Sequence, residues 1–303
     1  MFALRGIVLG SMVGGLACSG SAPGTAAVPV APSPIAATAE TSLTDLVYTS
    51  SPRPLRLDLH LPAGQPPFPL VVWVHGGGWS TGTKALAAGS PALRQRSRGY
   101  AVASVEYRLS GEAIFPAQIH DVKTAVRWLR ASAARYGLDA SRVAAWGSSA
   151  GGHLVALLGT SAAVAVLEDL RQGSEGESSR VQAVVDWYGP TDFLLQPPSH
   201  HAATSPESLL LGCDIDECPD RVTLANPITH VDATDPPFLI QHGARDGTVE
   251  PLSSVALHAA LLAAGVESTY TPIEGAGHGG PEFTSAANLA VVEGFLDSAL
   301  RRR

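Results

Sequence analysis

What is scarce in this chain narrows the field first. No long basic run occurs; Arg301-Arg302-Arg303 is the one basic cluster, and the net charge is −7. Phosphate backbones are held by clustered Lys and Arg, so nucleic acid is not an expected partner. The terminal arginines read as a solvated helix end that complements the helix dipole. Charged residues make up 16% against 45% hydrophobic, which is a globular composition rather than a disordered one. Apolar runs are short as well. Ile7 to Ala17 cannot span a bilayer, which takes about 20 residues.

That short run suits another purpose. Met1 to Arg5 carries one positive charge, Ile7 to Ala17 forms an apolar core, and Gly15-Leu16-Ala17-Cys18 is followed by Ser19-Gly20. Charge, short apolar core and small residues are the parts of an export signal. The tetrapeptide resembles a bacterial lipobox, with Gly15 where a leucine is usual. The expectation is an export signal over 1–18, lipidation of Cys18, and a chain that is secreted or tethered to a membrane in the cell envelope. Residues 19–42 then read as an Ala/Pro-rich linker, unable to bury enough surface to fold.

Cysteine numbers only three. With Cys18 lipidated or removed, Cys213 and Cys218 remain, with four residues between them. In an oxidising compartment they can close a small loop. A metal site is the weaker alternative. No partner cysteine or histidine pair stands at ligand spacing, and the adjacent His200-His201 fits one tetrahedral ion poorly.

From residue 43 to 303 strand-like and helix-like runs alternate, without a composition break. Leu55 to Leu61 alternates apolar and polar, the pattern of a half-exposed strand. Pro69 to Val74 is continuously apolar, as a buried strand is. Further strands are expected at 100–105, 142–146, 181–187, 238–241 and 268–273. Helices are expected at 117–136, 152–158, 254–264 and 286–300. Alternation of this kind predicts a mostly parallel central sheet with helices on both faces. Residues 190–230 are irregular and rich in Pro, His and Asp, and read as an insertion over the sheet edge.

Glycine-rich turns follow four of these strands. Gly147-Ser148-Ser149-Ala150-Gly151 centres a serine between glycines, after a strand and before a helix. That order is the context of a nucleophile elbow. The register is fixed, because centring on Ser148 would need glycine where Trp146 stands. An ordinary turn with Ser149 capping the helix is the plain alternative. His75-Gly76-Gly77-Gly78-Trp79 lets backbone amides come close to a ligand, as stabilising a developing oxyanion requires. Asp246 stands in Arg245-Asp246-Gly247 after the strand at 238–241, and His278 in Gly277-His278-Gly279 after the last strand. An acid past a strand end can hold an imidazole tautomer, and the chain order Ser, Asp, His matches the α/β-hydrolase arrangement. Asp192, in Gly189-Pro190-Thr191-Asp192, is a rival acid.

Residues ~45–300 resemble the α/β-hydrolase esterases of the hormone-sensitive-lipase-like and BD-FAE-like (bifunctional feruloyl and acetyl xylan esterase) groups. Besides the motifs above, the resemblance rests on Tyr107-Arg108-Leu109-Ser110, Phe115-Pro116-Ala117, Gly152-His153-Leu154, Tyr188-Gly189-Pro190-Thr191-Asp192, Ala225-Asn226-Pro227-Ile228 and Pro236-Pro237-Phe238-Leu239-Ile240. It implies Ser149 as nucleophile, His278 as base, Asp246 as orienting acid, and an oxyanion hole from the amides of Gly77, Gly78 and Ala150. It makes Asp192 a pocket-shaping residue, and it likens the Cys213/Cys218 segment to a loop of BD-FAE-like members. The implied activity is cofactor-free ester hydrolysis through an acyl-enzyme. Acetyl or feruloyl esters of polysaccharide, or small esters, are the implied substrates. Rival readings are a catalytically silent binding protein, a peptidase or a lipase on the same fold. No lid helix or added propeller supports the last two.

Overall fold

The computed structural model describes Gly10 and residues 39–301. Eight strands form one sheet: β1 (Thr41–Thr49), β2 (Leu55–Leu61), β3 (Phe68–Val74), β4 (Ala101–Val105), β5 (Leu138–Ser148), β6 (Ala183–Trp187), β7 (Phe238–Gly243) and β8 (Ser268–Ile273). The helices are α1 (Pro91–Arg94), α2 (Ala117–Ala131), α3 (Ala133–Tyr136), α4 (Ala150–Thr160), α5 (Pro206–Leu211), α6 (Pro219–Ala225), α7 (Pro251–Ala263) and α8 (Ala286–Arg301). Across the sheet the order is β1-β2-β4-β3-β5-β6-β7-β8. β1 and β2 run antiparallel to their neighbours, and every later pairing is parallel. This is the α/β-hydrolase fold that the alternating pattern and the motifs predict.

The period-two geometry of the strands divides the core in two. Leu70, Val72 and Val74 of β3 and Val143 and Ala145 of β5 pack with Ile119 and Val126 of α2, Leu154 of α4 and Leu257 of α7. The alternate residues Val71, Ala144, Trp146, Val185 and Leu239 pack on the other face with Leu289, Val292 and Leu296 of α8. Continuous apolar strands are thus apolar because both faces are covered. Trp73 and Trp146 face each other in register and meet edge to face at 5.4 Å, and Trp187 closes on Trp146 at 4.9 Å.

Three local expectations change. β2 is buried throughout rather than half exposed, apart from Arg56. Its polar face is covered: Lys84 Nζ donates to Asp58 Oδ1 at 2.7 Å, and Ser42 Oγ lies 2.8 Å from His60 Nδ1. β1 begins at Thr41 and pairs with Leu61, so the sheet already includes the last two residues of the expected linker. The helix expected over 117–136 ends at Ala131, and Ala133–Tyr136 is a separate turn closed by Gly137 in the left-handed region. The expected signal at 1–18, Cys18, linker residues 19–38 and Arg302-Arg303 lie outside the described residues. No helix among the described residues is long and apolar enough to cross a membrane.

Between β6 and β7 the chain builds a wall of short helices at the sheet's carboxyl edge, in the irregular region 190–230. Its two ends are clasped. Asn226 Nδ2 donates to Asp192 Oδ1 at 2.8 Å, and the Phe193 amide donates to Asn226 Oδ1 at 3.0 Å. Cys213 and Cys218 are joined as a disulfide within this wall, between α5 and α6.

Candidate active site

Ser149 stands in the single-residue turn between β5 and α4, at φ 55° and ψ −123°. A serine avoids positive φ, so the turn holds it by its surroundings. The Ser149 amide donates to Trp187 O at 2.8 Å, and the His153 amide donates to Ser149 O at 3.0 Å. A Cβ at Gly147 would run into the Gly151 carbonyl, and one at Gly151 into the Val74 and His75 carbonyls. Only glycine lets β5, α4 and the loop after β3 approach this closely. The Ser149 hydroxyl makes no capping bond to the helix that follows, which sets aside the plain-turn alternative.

Instead the hydroxyl faces a histidine. His278 Nε2 lies 2.8 Å from Ser149 Oγ, and His278 Nδ1 lies 2.8 Å from Asp246 Oδ2. The three predicted residues, 129 and 32 positions apart along the chain, therefore form one hydrogen-bonded line. A carboxylate oxygen only accepts, so the proton of His278 sits on Nδ1 and Nε2 is free to take the hydroxyl's proton. The other Asp246 oxygen accepts the amides of Thr248 at 2.8 Å and Val249 at 3.0 Å. Burial alone would raise the Asp246 pKa. The bonds from His242, His278 and the two amides outweigh it and hold the carboxyl far below the usual carboxylate range.

Asp192 takes no part in this line. Its carboxylate accepts from the Leu194 amide and from Asn226, and it serves as a turn cap and clasp.

The glycine loop lies across from Ser149. Gly77, Gly78 and Ala150 line the same cleft as Ser149 and His278, a cavity of about 450 Å³. No hydrogen-bond acceptor among the described residues takes their amides. The loop is pinned from behind. His75 stacks on Tyr107 at 4.3 Å, the Tyr107 hydroxyl donates to His75 O at 3.0 Å, and the Ser110 amide donates to Trp79 O at 2.8 Å. Trp79 Nε1 donates to His153 Nδ1 at 3.2 Å, while His153 Nε2 donates to Ala225 O at 2.8 Å. Burial lowers the His153 pKa to about 4, so this link stays neutral and ties loop, α4 and wall together.

Sequence assigns no part in the site to several further residues, although Tyr188 stands in a motif of the resemblance and His200 is weighed there only as a metal ligand. His242 is wholly buried beside Asp246; its one signal was a polar residue at the end of an apolar strand. Tyr188 packs edge to face on His278 at 4.9 Å. His200, Pro206 and Glu207 line the cleft from the wall. Asp186, under the elbow, accepts the Gly189 amide at 2.9 Å through Oδ1 while its Oδ2 has no partner. Burial pushes its pKa up to about 6.

Comparison with known proteins follows the same line. The BD-FAE family model matches residues 57–261. The chain belongs to the BD-FAE family. Esterase LipC of Mycobacterium tuberculosis is 34% identical over 217 residues, which cover 70% of this chain and 53% of LipC. Esterase LipQ of the same organism is 32% identical over 232 residues, 76% of this chain and 54% of LipQ. The chain thus spans about half the length of the curated relatives it matches. Among solved structures, a truncated carbohydrate esterase from gut microbiota superposes with a TM-score of 0.80 at 34% identity, covering 89% of this chain and all of that one. The matched BD-FAE segment includes the glycine loop, the elbow and Asp246; His278 lies beyond its end.

Proposed function

We propose that this protein is a serine carboxylic-ester hydrolase that works through an acyl-enzyme. The observation that carries this reading is the line Ser149 Oγ, His278, Asp246 at 2.8 Å per link, open to a cleft edged by glycine amides. Ser149 attacks the ester carbonyl as His278 Nε2 takes its proton. The amides of Gly77, Gly78 and Ala150 stabilise the negative charge on the former carbonyl oxygen. His278 returns the proton to the leaving alcohol, then activates a water that frees the acid and restores Ser149. Asp246 holds the imidazole in the working tautomer. The residues need no metal or organic cofactor for these steps.

Acetyl or feruloyl esters of polysaccharide, and small esters, are the proposed substrates. Membership of the BD-FAE family and the likeness to a carbohydrate esterase support the polysaccharide side. We further propose export, with Cys18 lipidated as a membrane tether. Palmitate incorporation that disappears in Cys18→Ala tests that step, and equal labelling of both chains ends it.

The test of the activity is direct. Wild type should hydrolyse p-nitrophenyl acetate and be labelled by a fluorophosphonate, and Ser149→Ala should lose both while keeping its circular-dichroism spectrum. Hydrolysis that persists in Ser149→Ala sinks the assignment. An intact Ser149 that never labels points to a silent binding protein on this fold.

A further inference from the structure

A second acid–histidine pair faces the cleft from the wall. His200 Nδ1 lies 2.9 Å from Glu207 Oε1, and both residues line the cavity that holds Ser149 and His278. We infer that His200, held by Glu207, recognises a hydroxyl group on the ester substrate. The inference rests on the reading of Ser149 as the ester-cleaving nucleophile and adds to it the side chains that select the substrate.

The Glu207 side chain is 2% exposed, and its Oε2 is buried without a partner. Burying a carboxylate is costly unless its oxygens are satisfied, and His200 supplies its one side-chain partner among the described residues. A carboxylate oxygen accepts, so His200 Nδ1 carries the proton and Nε2 is the polar atom left over. Nε2 has no hydrogen-bond partner among the described residues. The His200 side chain is 15% exposed, and the space it meets includes the substrate cleft. The position is close to the chemistry. A Cβ placed on Gly78 would come within 3.4 Å of Pro206, the first residue of α5 and the neighbour of Glu207.

The chemistry of the pair selects its ligand. A cation would seek an exposed carboxylate, but Glu207 is covered. An apolar group would leave Nε2 without a partner. A hydroxyl satisfies it, because a hydroxyl both donates and accepts. Two parts of an ester can carry one: a sugar on the alcohol side, or a phenol on a hydroxycinnamoyl acyl group.

Two ester pairs distinguish these sources. Methyl 2-O-acetyl-β-xyloside against cyclohexyl acetate reads the alcohol side; methyl p-coumarate against methyl cinnamate reads the acyl side. Within each pair both esters meet the same enzyme, so partial misfolding cancels from the ratio of kcat/KM. For at least one pair, wild type should favour the hydroxylated ester ~10-fold or more, since a site built to bind a hydroxyl rejects the analogue lacking it. His200→Ala should bring that ratio to near one. Glu207→Leu should do the same, whereas Glu207→Gln, whose amide oxygen still accepts from Nδ1, should recover most of it. A collapse in the xyloside pair identifies a sugar hydroxyl, and one in the coumarate pair a phenolic hydroxyl. Turnover with ratios that His200→Ala leaves alone overturns the inference but not the esterase reading. No turnover of any ester, with Ser149 unlabelled by fluorophosphonate, overturns both.

Discussion

His242 and Asp246 meet side chain to side chain: His242 Nε2 lies 3.1 Å from Asp246 Oδ2, the oxygen that also receives His278. His242 is itself anchored, with Nδ1 2.7 Å from Ser254 Oγ. The acid is thus gripped by two imidazoles and two amides, which keeps it ionised and aimed. His242→Phe removes one of those bonds and keeps the ring volume. Bonds to charged groups contribute ~1.5–3 kcal/mol, so kcat should fall ~10-fold or more with KM little changed. If His242 merely fills space, active-site titration would show the loss to equal the unfolded fraction.

The two acids that sequence left in competition have separate fates. Asp246→Asn should lose ~10⁴-fold in kcat by the precedent of other serine-hydrolase triads. Asp192→Asn should keep kcat within a few fold and change stability little, because its remaining side-chain oxygen still accepts from the Leu194 amide and from Asn226. Steady-state kinetics with urea titrations separate them, and a reversed order would move the acid to Asp192.

Gly151→Ala tests the close approach beneath the elbow. The new methyl would meet backbone carbonyls of Val74 and His75, neither of which can swing aside as a side chain would. A drop of more than ~4 kcal/mol in stability is expected, in the range reserved for severe steric mechanisms. Thermal unfolding reads it, and a variant melting within a few degrees of wild type would show that the loop after β3 can retreat.

Asp186 carries a pH signature. Its folded pKa is raised by burial from 3.8 to about 6, so the native state binds its proton more tightly than the unfolded chain does. The stability this provides is complete below pH ~4 and is lost as pH rises through about 6. Asp186→Asn cannot ionise. Relative to wild type it should therefore be ~2–3 kcal/mol better placed at pH 8 than at pH 4, at 1.36 kcal/mol per pKa unit. Urea midpoints at the two pH values give the comparison; an equal difference at both would mean that Asp186 ionises freely in the fold.

Much of this architecture was legible before any coordinates. Five of the strands, β3 to β7, announce themselves as apolar runs, because a parallel sheet buries both faces, and the elbow is written in Gly147, Ser149 and Gly151. What escaped depends on partners distant in sequence. β1, with its polar Thr41, Ser42, Thr44 and Asp45, shows no strand pattern until β2 lies beside it. Asp58 and His60 made β2 look half exposed, because the alternation cannot show that Lys84 and Ser42 cover them. His242 and Glu207 are ordinary letters until the fold brings Asp246 and His200 to them.

The clasp between Asp192 and Asn226 gives the molecule a seam. The span it closes, from Asp192 to Asn226, carries His200, Glu207 and the disulfide, whereas Ser149, Asp246 and His278 all lie outside it. Cutting and rejoining the chain at that seam would exchange the wall as a cassette, leaving the line of Ser149, His278 and Asp246 in its original frame.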